Sequence, residues 1–296
     1  MKLCKPLFEI WEQSAGLEGV YKMIEYAGRV CYKSEDKITE DSAKPFVDRM
    51  IKSGHGAMLE HGTVYLQYET AKSAINPLTK YYLNKYSKVK AKEGAIEETM
   101  RLFVTTNLRV LVENNWLKDL EYICEPTEFH EKRITVHFVC DRGVSHEFVR
   151  HRVMSFAQES TRYCNYSKDK FGNELTFIKP CWLDIPTGQY VYWDGDWCDV
   201  DKMKIQLPEG EHKDIDAFLW TLNNAETHYT LLINSGWKPQ EARAVLPNSL
   251  KTELVMTGFV SDWKHFFELR CDSAAHPQAR ELAIPLREEF IKRNYI

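Results

Sequence analysis

The sequence has no excess of positive charge. Its 39 lysine and arginine residues are outnumbered by 43 aspartate and glutamate residues, which gives a formal net charge of −4 at pH 7. A protein that coats nucleic acid needs a cationic face for the phosphates. We therefore do not expect a general nucleic-acid-binding protein, and any cationic site must be local.

Apolar runs of membrane-spanning length are also lacking, and no basic segment followed by an apolar core opens the sequence. The eight cysteines are scattered without a Cys-x-x-Cys pair, a spacing that indicates neither a zinc ribbon nor a disulfide framework. We expect reduced thiols, no metal, no membrane association and a cytoplasmic protein, either of a bacterium or of the host of a phage or virus.

A dense cationic segment, residues 150–163, is the most informative feature that is present. This segment, hereafter the signature segment, brings Arg150, Arg152 and Arg162 close to His151 and Ser160. Arginine keeps its charge at physiological pH, and its planar fork of donors fits phosphate or the deprotonated edge of a pyrimidine. The segment therefore predicts a site for a phosphorylated ligand that carries a ring.

A surface patch is the simplest alternative, because short arginine clusters are common on solvated helix ends. A non-enzymatic RNA- or DNA-binding module is the alternative of a different class. Arg150, Arg152 and Arg162 with the nearby Tyr163 and Tyr166 would suit stacked bases. The overall acidity disfavours it, and no recognisable nucleic-acid-binding motif accompanies these residues.

Periodicity predicts helices and strands without a regular alternation of the two. Apolar residues at helical spacing indicate helices over 17–31 and from about 39 to 51, before any strand. Two β-rich runs, 63–68 and 134–139, are predicted to be strands that could pair. This pattern favours an α+β fold, with mixed helices packed on a small antiparallel or mixed sheet.

Further elements follow along the chain. We predict a strand running into a helix near 103–110, a helix over 142–149, a strand over 175–178, a long amphipathic helix from 214 to Gly236, a short helix carrying Arg243, a strand over 250–256, and helices that begin near Ser261 and Pro277. The signature segment then lies where a helix passes into a loop. Residues 71–126 look like a charged insertion, and residues 180–212 look like a surface excursion.

Three other blocks accompany the signature segment. They are Glu60-His61-Gly62-Thr63, Ala242-Arg243-Ala244-Val245-Leu246-Pro247 and Trp263-Lys264-His265-Phe266-Phe267-Glu268-Leu269-Arg270. In this order the four blocks resemble the flavin-dependent thymidylate synthases, which methylate dUMP to dTMP with a flavin as hydride carrier. The resemblance spans most of the chain and leaves out the stretches near 71–126 and 180–212.

The resemblance implies one domain over residues 1–296, with insertions near 71–126 and 180–212. It implies a homotetramer whose active sites form between subunits. FAD would be the cofactor, NADPH and methylenetetrahydrofolate the co-substrates, and dUMP the substrate. NADPH would reduce the flavin, methylenetetrahydrofolate would supply the carbon, and the flavin would supply the hydride.

The resemblance also implies roles for individual residues. The flavin would meet Thr63, Arg150, His151, Arg152, Val153, Gln158 and His265. The nucleotide would meet Glu147 and Arg150 from one subunit, and Gln158, Glu159, Ser160, Thr161 and Arg162 from another, with Arg243 and Arg270 closing over it. Family members often carry Asn-x-Arg where this chain has Phe259-Val260-Ser261, and asparagine where it has His265.

Arg270 is the expected catalytic residue. Placed against the uracil N3/O4 edge, a fixed cation would stabilise the anionic ring that must form before C5 attacks an electrophile. Arg162 and Arg243 suit the phosphate. Ser160 is expected to contact the phosphate rather than act as a nucleophile, since no histidine adjacent in sequence is set to deprotonate it. His151 could be a base.

Two other reaction types remain open at this point. A flavin-independent thymidylate synthase would attack the uracil ring with a cysteine, and Cys164 lies nearest to the signature segment. A zinc hydrolase is suggested by His146, Glu147 and His151. However, histidines five positions apart on a helix are rotated by about 140°, so they do not face one metal.

Overall fold

The structure is a computed structural model that describes residues 1–71, 79–94, 98–168, 171–199, 203–207 and 213–296. The strands are β1 Lys2–Cys4, β2 Leu7–Trp11, β3 Thr63–Ala71, β4 Lys88–Glu93, β5 Thr99–Asn107, β6 Arg133–Asp141, β7 Ser155–Gln158, β8 Thr176–Ile178, β9 Gly188–Gln189, β10 Val191–Trp193, β11 Asp196–Cys198 and β12 Lys251–Phe259. The helices are α1 Gly16–Tyr32, α2 Ala43–Lys52, α3 Gly56–Leu59, α4 Thr79–Tyr82, α5 Leu108–Glu113, α6 Arg142–Phe148, α7 Lys213–Asn234, α8 Pro239–Ala242, α9 Val260–Arg270 and α10 Pro277–Lys292. Short 3₁₀ helices span Glu35–Lys37, Leu117–Tyr122 and Arg243–Val245.

A four-stranded antiparallel sheet carries the signature segment. Its strand order is β2-β6-β12-β7, and β6 pairs with β12 along its whole length, from Asp141 opposite Lys251 to Arg133 opposite Phe259. Alternate residues of a strand face opposite sides of a sheet. Accordingly, Leu254 and Met256 pack with α9 and α10 on one side, whereas Val255 packs with α1 on the other.

A second antiparallel sheet, of order β3-β5-β4, packs its apolar face against α1 and α2. The predicted pairing of 63–68 with 134–139 is therefore wrong, since β3 pairs with β5 and β6 pairs with β2 and β12. The partner of β3 comes from within the stretch predicted to be an insertion. A β-rich run identifies a strand, but its neighbour in the sheet depends on contacts that periodicity does not report.

A small mixed sheet of order β8-β1-β9 packs beside α7. β8 pairs in parallel with β1, and β9 pairs antiparallel on the other edge of β1. The prediction of a surface excursion at 180–212 is wrong for much of its described part, because Ile185, Tyr190 and Trp197 are buried in the core cluster that includes α7. Residues 200–202 and 208–212 of that stretch lie outside the described residues.

The α+β class is confirmed, although the strands form several small sheets rather than one. The predicted helices at 17–31, 142–149, 214–236 and from Pro277 are present as α1, α6, α7 and α10. The prediction that two helices precede the first strand is wrong, since β1 and β2 come first. In the described part of the chain, no helix has both the length and the apolar character needed to span a membrane.

Helix α9 begins one residue before the predicted cap, Ser261. The carboxylate of Asp262 accepts the backbone N–H of Phe259 at 3.0 Å and so caps the first turn. Ser261 points elsewhere, because its hydroxyl donates to Glu131. The shift matters for the site, because Phe259 then ends β12 directly beside the signature segment.

Candidate functional site

The signature segment is divided by a strand. Helix α6 is capped by Asp141, which accepts the backbone N–H of Val144 at 2.7 Å, and its last turn leads into residues 149–154. Strand β7 then joins the edge of the four-stranded sheet beside β12. The predicted loop after α6 therefore contains a short strand. Its four residues, at about 3.3 Å each, separate the two halves of the segment by roughly 13 Å.

The first half lies beside Arg270. Arg270 Nη1 donates to Glu147 Oε2 at 2.8 Å, and Nη2 donates to the Glu147 backbone carbonyl at 2.7 Å. Its Nε donates to Nε2 of His151 at 3.1 Å. The Arg270 side chain is 15% exposed, so the guanidinium is fixed yet reaches the surface. The helix that ends at Phe148 and the end of α9 together build this cluster.

His151 is neutral in this arrangement. Burial and the positive charge of Arg270, with a smaller effect of His265, lower the pKa of His151 to about 4. Because arginine always donates, Nε2 is the acceptor and the ring proton sits on Nδ1. A base would need that same lone pair. The geometry thus gives His151 the task of orienting Arg270 and not of taking up a proton.

The second half of the segment surrounds Ser160. The Ser160 backbone N–H donates to the carbonyl of Cys31 at 3.1 Å, which ties the turn to the end of α1. Arg243 donates to Thr161 Oγ1 at 3.3 Å, bringing the 3₁₀ turn after α8 to the same place. Arg162 stacks over the ring of Tyr163 with its central carbon 4.7 Å from the ring centroid. Arg162 and Arg243 are both exposed.

Glu159 lies behind this surface and not on it. Its side chain is fully buried; Oε1 accepts from the Tyr166 hydroxyl at 2.7 Å and Oε2 pairs with Lys251 at 2.9 Å. Lys251 also pairs with Glu253, which in turn binds Lys33 at 2.8 Å and His137 at 3.0 Å. We call this set the buried charge network; its members are Glu159, Lys251, Glu253, Lys33 and His137. The network anchors the turn around Ser160 to β12.

Charge pairing governs the pKa values in the buried charge network. Burial opposes ionisation of Glu253, yet the hydrogen bond from His137 and the ammonium groups of Lys251 and Lys33 hold its pKa well below the usual value. Burial likewise opposes the charge on Lys251, and Glu159 with Glu253 outweighs it and raises the pKa of Lys251. Both groups are therefore charged at neutral pH.

Gln158 connects the halves from the end of β7. Its side-chain amide donates to Ser145 Oγ at 2.8 Å and to Thr252 Oγ1 at 3.3 Å. Both partners belong to elements that flank the strand, α6 and β12. Gln158 is partly exposed.

A cavity of about 320 Å³ opens beside Arg152 and Val153. We name it the basic cavity, and its lining residues are Lys85, Tyr86, Lys88, Asn107, Arg133, Arg152, Val153, Ser155, Phe259 and Asp262. Cationic side chains outnumber the acidic one among these described residues. Two aromatic rings, of Tyr86 and Phe259, complete the walls. Val153 is 63% exposed, which leaves an apolar surface at the rim.

Arg133 is a functional candidate that sequence reasoning missed. Its Nη1 donates to the Glu60 carbonyl at 2.9 Å and to Thr63 Oγ1 at 3.3 Å, and Nη2 donates to Ser155 Oγ at 3.2 Å. Burial lowers the pKa of Arg133 to about 10, so it remains charged at neutral pH. The start of a β-rich run gave no signal of this role, because the partners come from distant segments.

Thr63 lies on the far side of Arg133 from Arg152 and Val153. It lines a second cavity of about 350 Å³, whose walls also include Trp11, Gln13, Tyr65 and Arg133. The backbone of Thr63 is held by Gln13, which accepts its N–H at 2.9 Å and donates to its carbonyl at 2.8 Å. Arg133 lines both cavities and is thus the link between Thr63 and the signature segment.

His265 and Arg150 are at the surface. His265 is exposed, pairs with Glu268 at 3.2 Å, and has its ring centroid 6.1 Å from that of His151. Arg150 is also exposed, and its charge acts on Arg270, whose pKa is lowered by burial and by Arg150 against the opposing effect of Glu147. Arg150 therefore belongs with the Arg270 cluster at the first end of β7.

The competing reaction types find little support in the geometry. Cys164 is buried in the core cluster of α7. His146 is exposed whereas His151 is buried, as expected for histidines on different sides of a helix end. Among the described ranges, no three histidine, cysteine or acidic side chains are grouped as a metal site would require. The guanidinium groups at the two ends of β7 instead suit an anionic ligand.

Comparison with known proteins places this site in a family. A family model described as thymidylate synthase complementing protein matches residues 114–293, which is more than half of the chain. The chain therefore belongs to this family. The match contains the signature segment, Arg243 and Arg270, runs through 180–212, and leaves out β3, β4 and β5.

Similarity to individual relatives is moderate. The chain is 31% identical over 160 residues to a flavin-dependent thymidylate synthase of Pyrococcus furiosus, covering 53% of each chain. It is 23% identical over 277 residues to one of Corynebacterium aurimucosum, covering 93% of this chain and 77% of the relative. In the Pyrococcus matches the chain spans about half the length of the relatives. A crystal structure of the UMP/dUMP methylase PolB from Streptomyces cacaoi with 5-Br UMP is 16% identical, covering 99% and 92% of the two chains with a TM-score of 0.44.

Proposed function

We propose that this protein is a flavin-dependent thymidylate synthase. It would methylate dUMP to dTMP, with methylenetetrahydrofolate as the carbon donor and FAD, reduced by NADPH, as the hydride donor. Membership of the family supports the reaction class. The observation that carries the proposal is the fixed guanidinium of Arg270, held by Glu147 and His151 at one end of the signature segment.

Arg270 would activate the uracil ring. Within the described chain, each terminal nitrogen of its guanidinium donates one hydrogen bond to Glu147, which leaves one N–H on each for a ligand. Two parallel donors match a ring edge that carries adjacent oxygen and nitrogen atoms. As negative charge develops on that edge, a cation already fixed in place stabilises it without reorganisation. C5 of the ring then becomes nucleophilic enough to take the methylene group.

The other end of the segment would bind the phosphate. Arg162 and Arg243 are exposed, and the hydroxyls of Ser160 and Thr161 lie in the same turn. Charge-assisted hydrogen bonds from two arginines are the contacts that a phosphate monoester favours. Glu159 would serve this site indirectly, by anchoring the turn through Lys251 and Tyr166.

The separation of the two ends supports a site shared between subunits. About 13 Å of strand divides Arg150 from Ser160 along one chain. One protomer would supply Arg270, Glu147 and Arg150, and another would supply Ser160 and Arg162. We therefore propose the homotetramer as the active form, with the uracil at one subunit's cluster and the phosphate at its neighbour's turn.

The basic cavity fits a flavin dinucleotide by the chemistry of its donors. The exposed guanidinium of Arg152 suits a pyrophosphate, the buried Arg133 adds positive charge behind it, and Phe259 offers a ring face. When bound, the flavin supplies hydride transfer. The chain would contribute orientation through Arg152 and Val153 at the rim, with Thr63 reached through Arg133. His265 stands outside the cavity lining, next to His151.

Absorbance spectroscopy and calorimetry test the proposal on the purified protein. We expect flavin bands in the blue and near ultraviolet, bleaching on addition of NADPH without oxygen, and heat of binding on titration with dUMP. A colourless protein that takes up no added FAD and gives no heat with dUMP would contradict it. Full turnover by a Cys164→Ala variant would separately exclude the cysteine mechanism, since the buried Cys164 thiol would escape alkylation of the native protein.

A further inference from the structure

The basic cavity owes one of its walls to a segment outside the family match. Lys85, Tyr86 and Lys88 come from the turn before β4 and from its first residue, whereas the match begins at residue 114. The same cavity is lined by Arg152 and Val153 of the signature segment. A part of the chain outside the matched residues therefore faces the predicted flavin.

The turn is held in a defined shape. Asn84 Oδ1 accepts the backbone N–H of Tyr86 at 2.9 Å and the hydroxyl of Ser87 at 3.2 Å. The Ser87 hydroxyl is also 2.8 Å from that of Thr106, in the buried part of β5. These bonds fix the backbone between Lys85 and Lys88. The backbone that carries Lys85 and Lys88 is thus rigid, and only the aliphatic parts of the two side chains need to move when a ligand binds.

The charges around the cavity call for an anion. Four lining residues of the described chain are cationic, namely Lys85, Lys88, Arg133 and Arg152, and Asp262 is the acidic one. Asp262 is itself engaged, since it accepts the backbone N–H of Phe259. Arg133 is buried and spends its bonds on Glu60, Thr63 and Ser155. The exposed Lys85 and Lys88, together with Arg152, are the groups left to meet a ligand.

Lys88 lies next to Phe259, one of the positions at which this chain differs from the motif that the resemblance implies. The Asn-x-Arg flavin contact that the resemblance implies is replaced by Phe259 and Ser261. The Ser261 hydroxyl is bonded to Glu131. By contrast, Lys88 Nζ lies 5.6 Å from the centroid of the Phe259 ring. The central guanidinium carbon of Arg133 lies 5.5 Å from the same centroid. A cation from β4 therefore lies beside Phe259, at the end of β12.

We propose that Lys85 and Lys88 bind the pyrophosphate of the flavin dinucleotide in the basic cavity. The inference rests on the proposed function and adds to it two residues that lie outside the family match. Lysine ammonium groups on flexible stems suit phosphate oxygens as point charges. Phe259 and Tyr86, between the cations, offer ring faces for the aromatic parts of the same ligand.

Titration of the flavin-depleted full-length chain tests the proposal. The variant carries Lys85→Gln and Lys88→Gln. The control carries Lys90→Gln and Lys92→Gln, which removes the same amount of positive charge from positions of β4 outside the cavity lining. Fluorescence quenching gives Kd values for FAD, FMN, riboflavin and NADPH. At about tenfold per charged contact, we expect the variant to bind FAD roughly 100-fold more weakly.

Riboflavin distinguishes phosphate binding from a general loss of structure. It has no phosphate, so its affinity should change by less than about threefold in the variant, and the control should bind FAD within about threefold of the unmodified chain. The FAD Kd of the unmodified chain should rise with NaCl, and this rise should be smaller in the variant. Lys88→Arg should keep most of the affinity, because the charge remains.

Three outcomes would overturn the inference. Unchanged FAD binding in the double variant removes the role of the lysines, and equal losses for FAD and riboflavin assign them a structural role. Weaker NADPH binding with intact FAD binding in the double variant would indicate that the cavity binds NADPH rather than FAD. In each case FAD still binds the unmodified chain, so the proposed function stands. If the unmodified chain binds no FAD at all, both fall together.

Discussion

The two ends of β7 hold their positive charges in opposite ways. At the first end, Arg270 is largely buried and its donors are directed by Glu147 and His151. At the second end, Arg162 and Arg243 are exposed, and it is the backbone beneath them that is fixed, through Glu159 and Lys251. A rigid cation suits a charge that develops during reaction, whereas long exposed arms suit a phosphate that must enter and leave.

Removing Arg270 should have the largest effect. Arg270→Ala should lower kcat for dTMP formation by about 10²- to 10³-fold or more, because the developing charge loses its fixed partner. Arg270→Lys should restore little, since an ammonium lacks the fork that meets Glu147 and a ring edge together. Steady-state kinetics and circular dichroism measure this. Near-normal turnover by a folded Arg270→Ala protein would refute the role of the first end.

Breaking the buried charge network should be the next largest effect. Lys251→Met leaves the carboxylates of Glu159 and Glu253 facing each other without their shared cation, which should cost about 3–5 kcal/mol of unfolding free energy. Urea denaturation measures the loss. Lys251→Arg, which retains the charge, is the control. A Lys251→Met protein as stable as the unmodified chain would show that the buried charge network does not stabilise the second end of β7.

Arg243 and Arg162 should affect binding more than chemistry. Arg243→Ala and Arg162→Ala should each raise KM for dUMP by about 10- to 50-fold with a smaller change in kcat, because a phosphate contact is made before and during reaction alike. Arg101→Ala, which breaks an exposed pair with Glu69, is the control. If kcat fell as far as in Arg270→Ala, the contrast between the two ends would disappear.

Acid should weaken the protein in two stages. The folded-state pKa of His151 is about 4, below its ordinary 6.5, so the unfolded chain binds the extra proton and stability falls as the pH drops from 6.5 to 4. Glu253 has a depressed pKa, so its contribution is present above its ordinary pKa of 4.5 and is lost below it. Each group contributes a slope of at most about 1.4 kcal/mol per pH unit.

Unfolding free energies between pH 4 and pH 8 measure the first stage. His151→Gln should flatten the decline between pH 6.5 and pH 4, because the titrating ring is gone. His61 remains in that variant, and burial lowers its pKa to about 3, so a smaller slope should persist. An unchanged profile in His151→Gln would indicate that folding does not lower the pKa of His151, and thus that its ring is not held neutral beside Arg270.

Local elements were predictable where the pattern was long and strong. Helix α7, with apolar residues over six turns, and α6, which delivers the signature segment, follow from periodicity alone. The cationic residues of the site followed from arginine chemistry and from the resemblance. Strand β7 was missed because four residues inside a motif are too few for a period to show.

Long-range pairing was not predictable. Lys251 meets Glu159 across 92 positions only because β12 lies beside β7, and Arg133 meets Ser155 because β6 and β7 lie on either side of β12. Lys85 and Lys88 belong to the stretch that was predicted to be a charged insertion, since nothing in their own segment indicates that β4 begins beside Phe259. Sheet order decides which side chains share a cavity, and it depends on packing between segments distant in sequence.

Product formation under single-turnover conditions tests the central claim most directly. The purified protein is bleached with NADPH in the absence of oxygen, and dUMP with methylenetetrahydrofolate is then added while dTMP is measured by chromatography. We expect one dTMP for each flavin reoxidised, and dTMP formation at least about 100-fold slower when Arg270 is replaced by alanine. Reoxidation without dTMP, or dTMP formed at the same rate by the Arg270→Ala protein, would contradict the account.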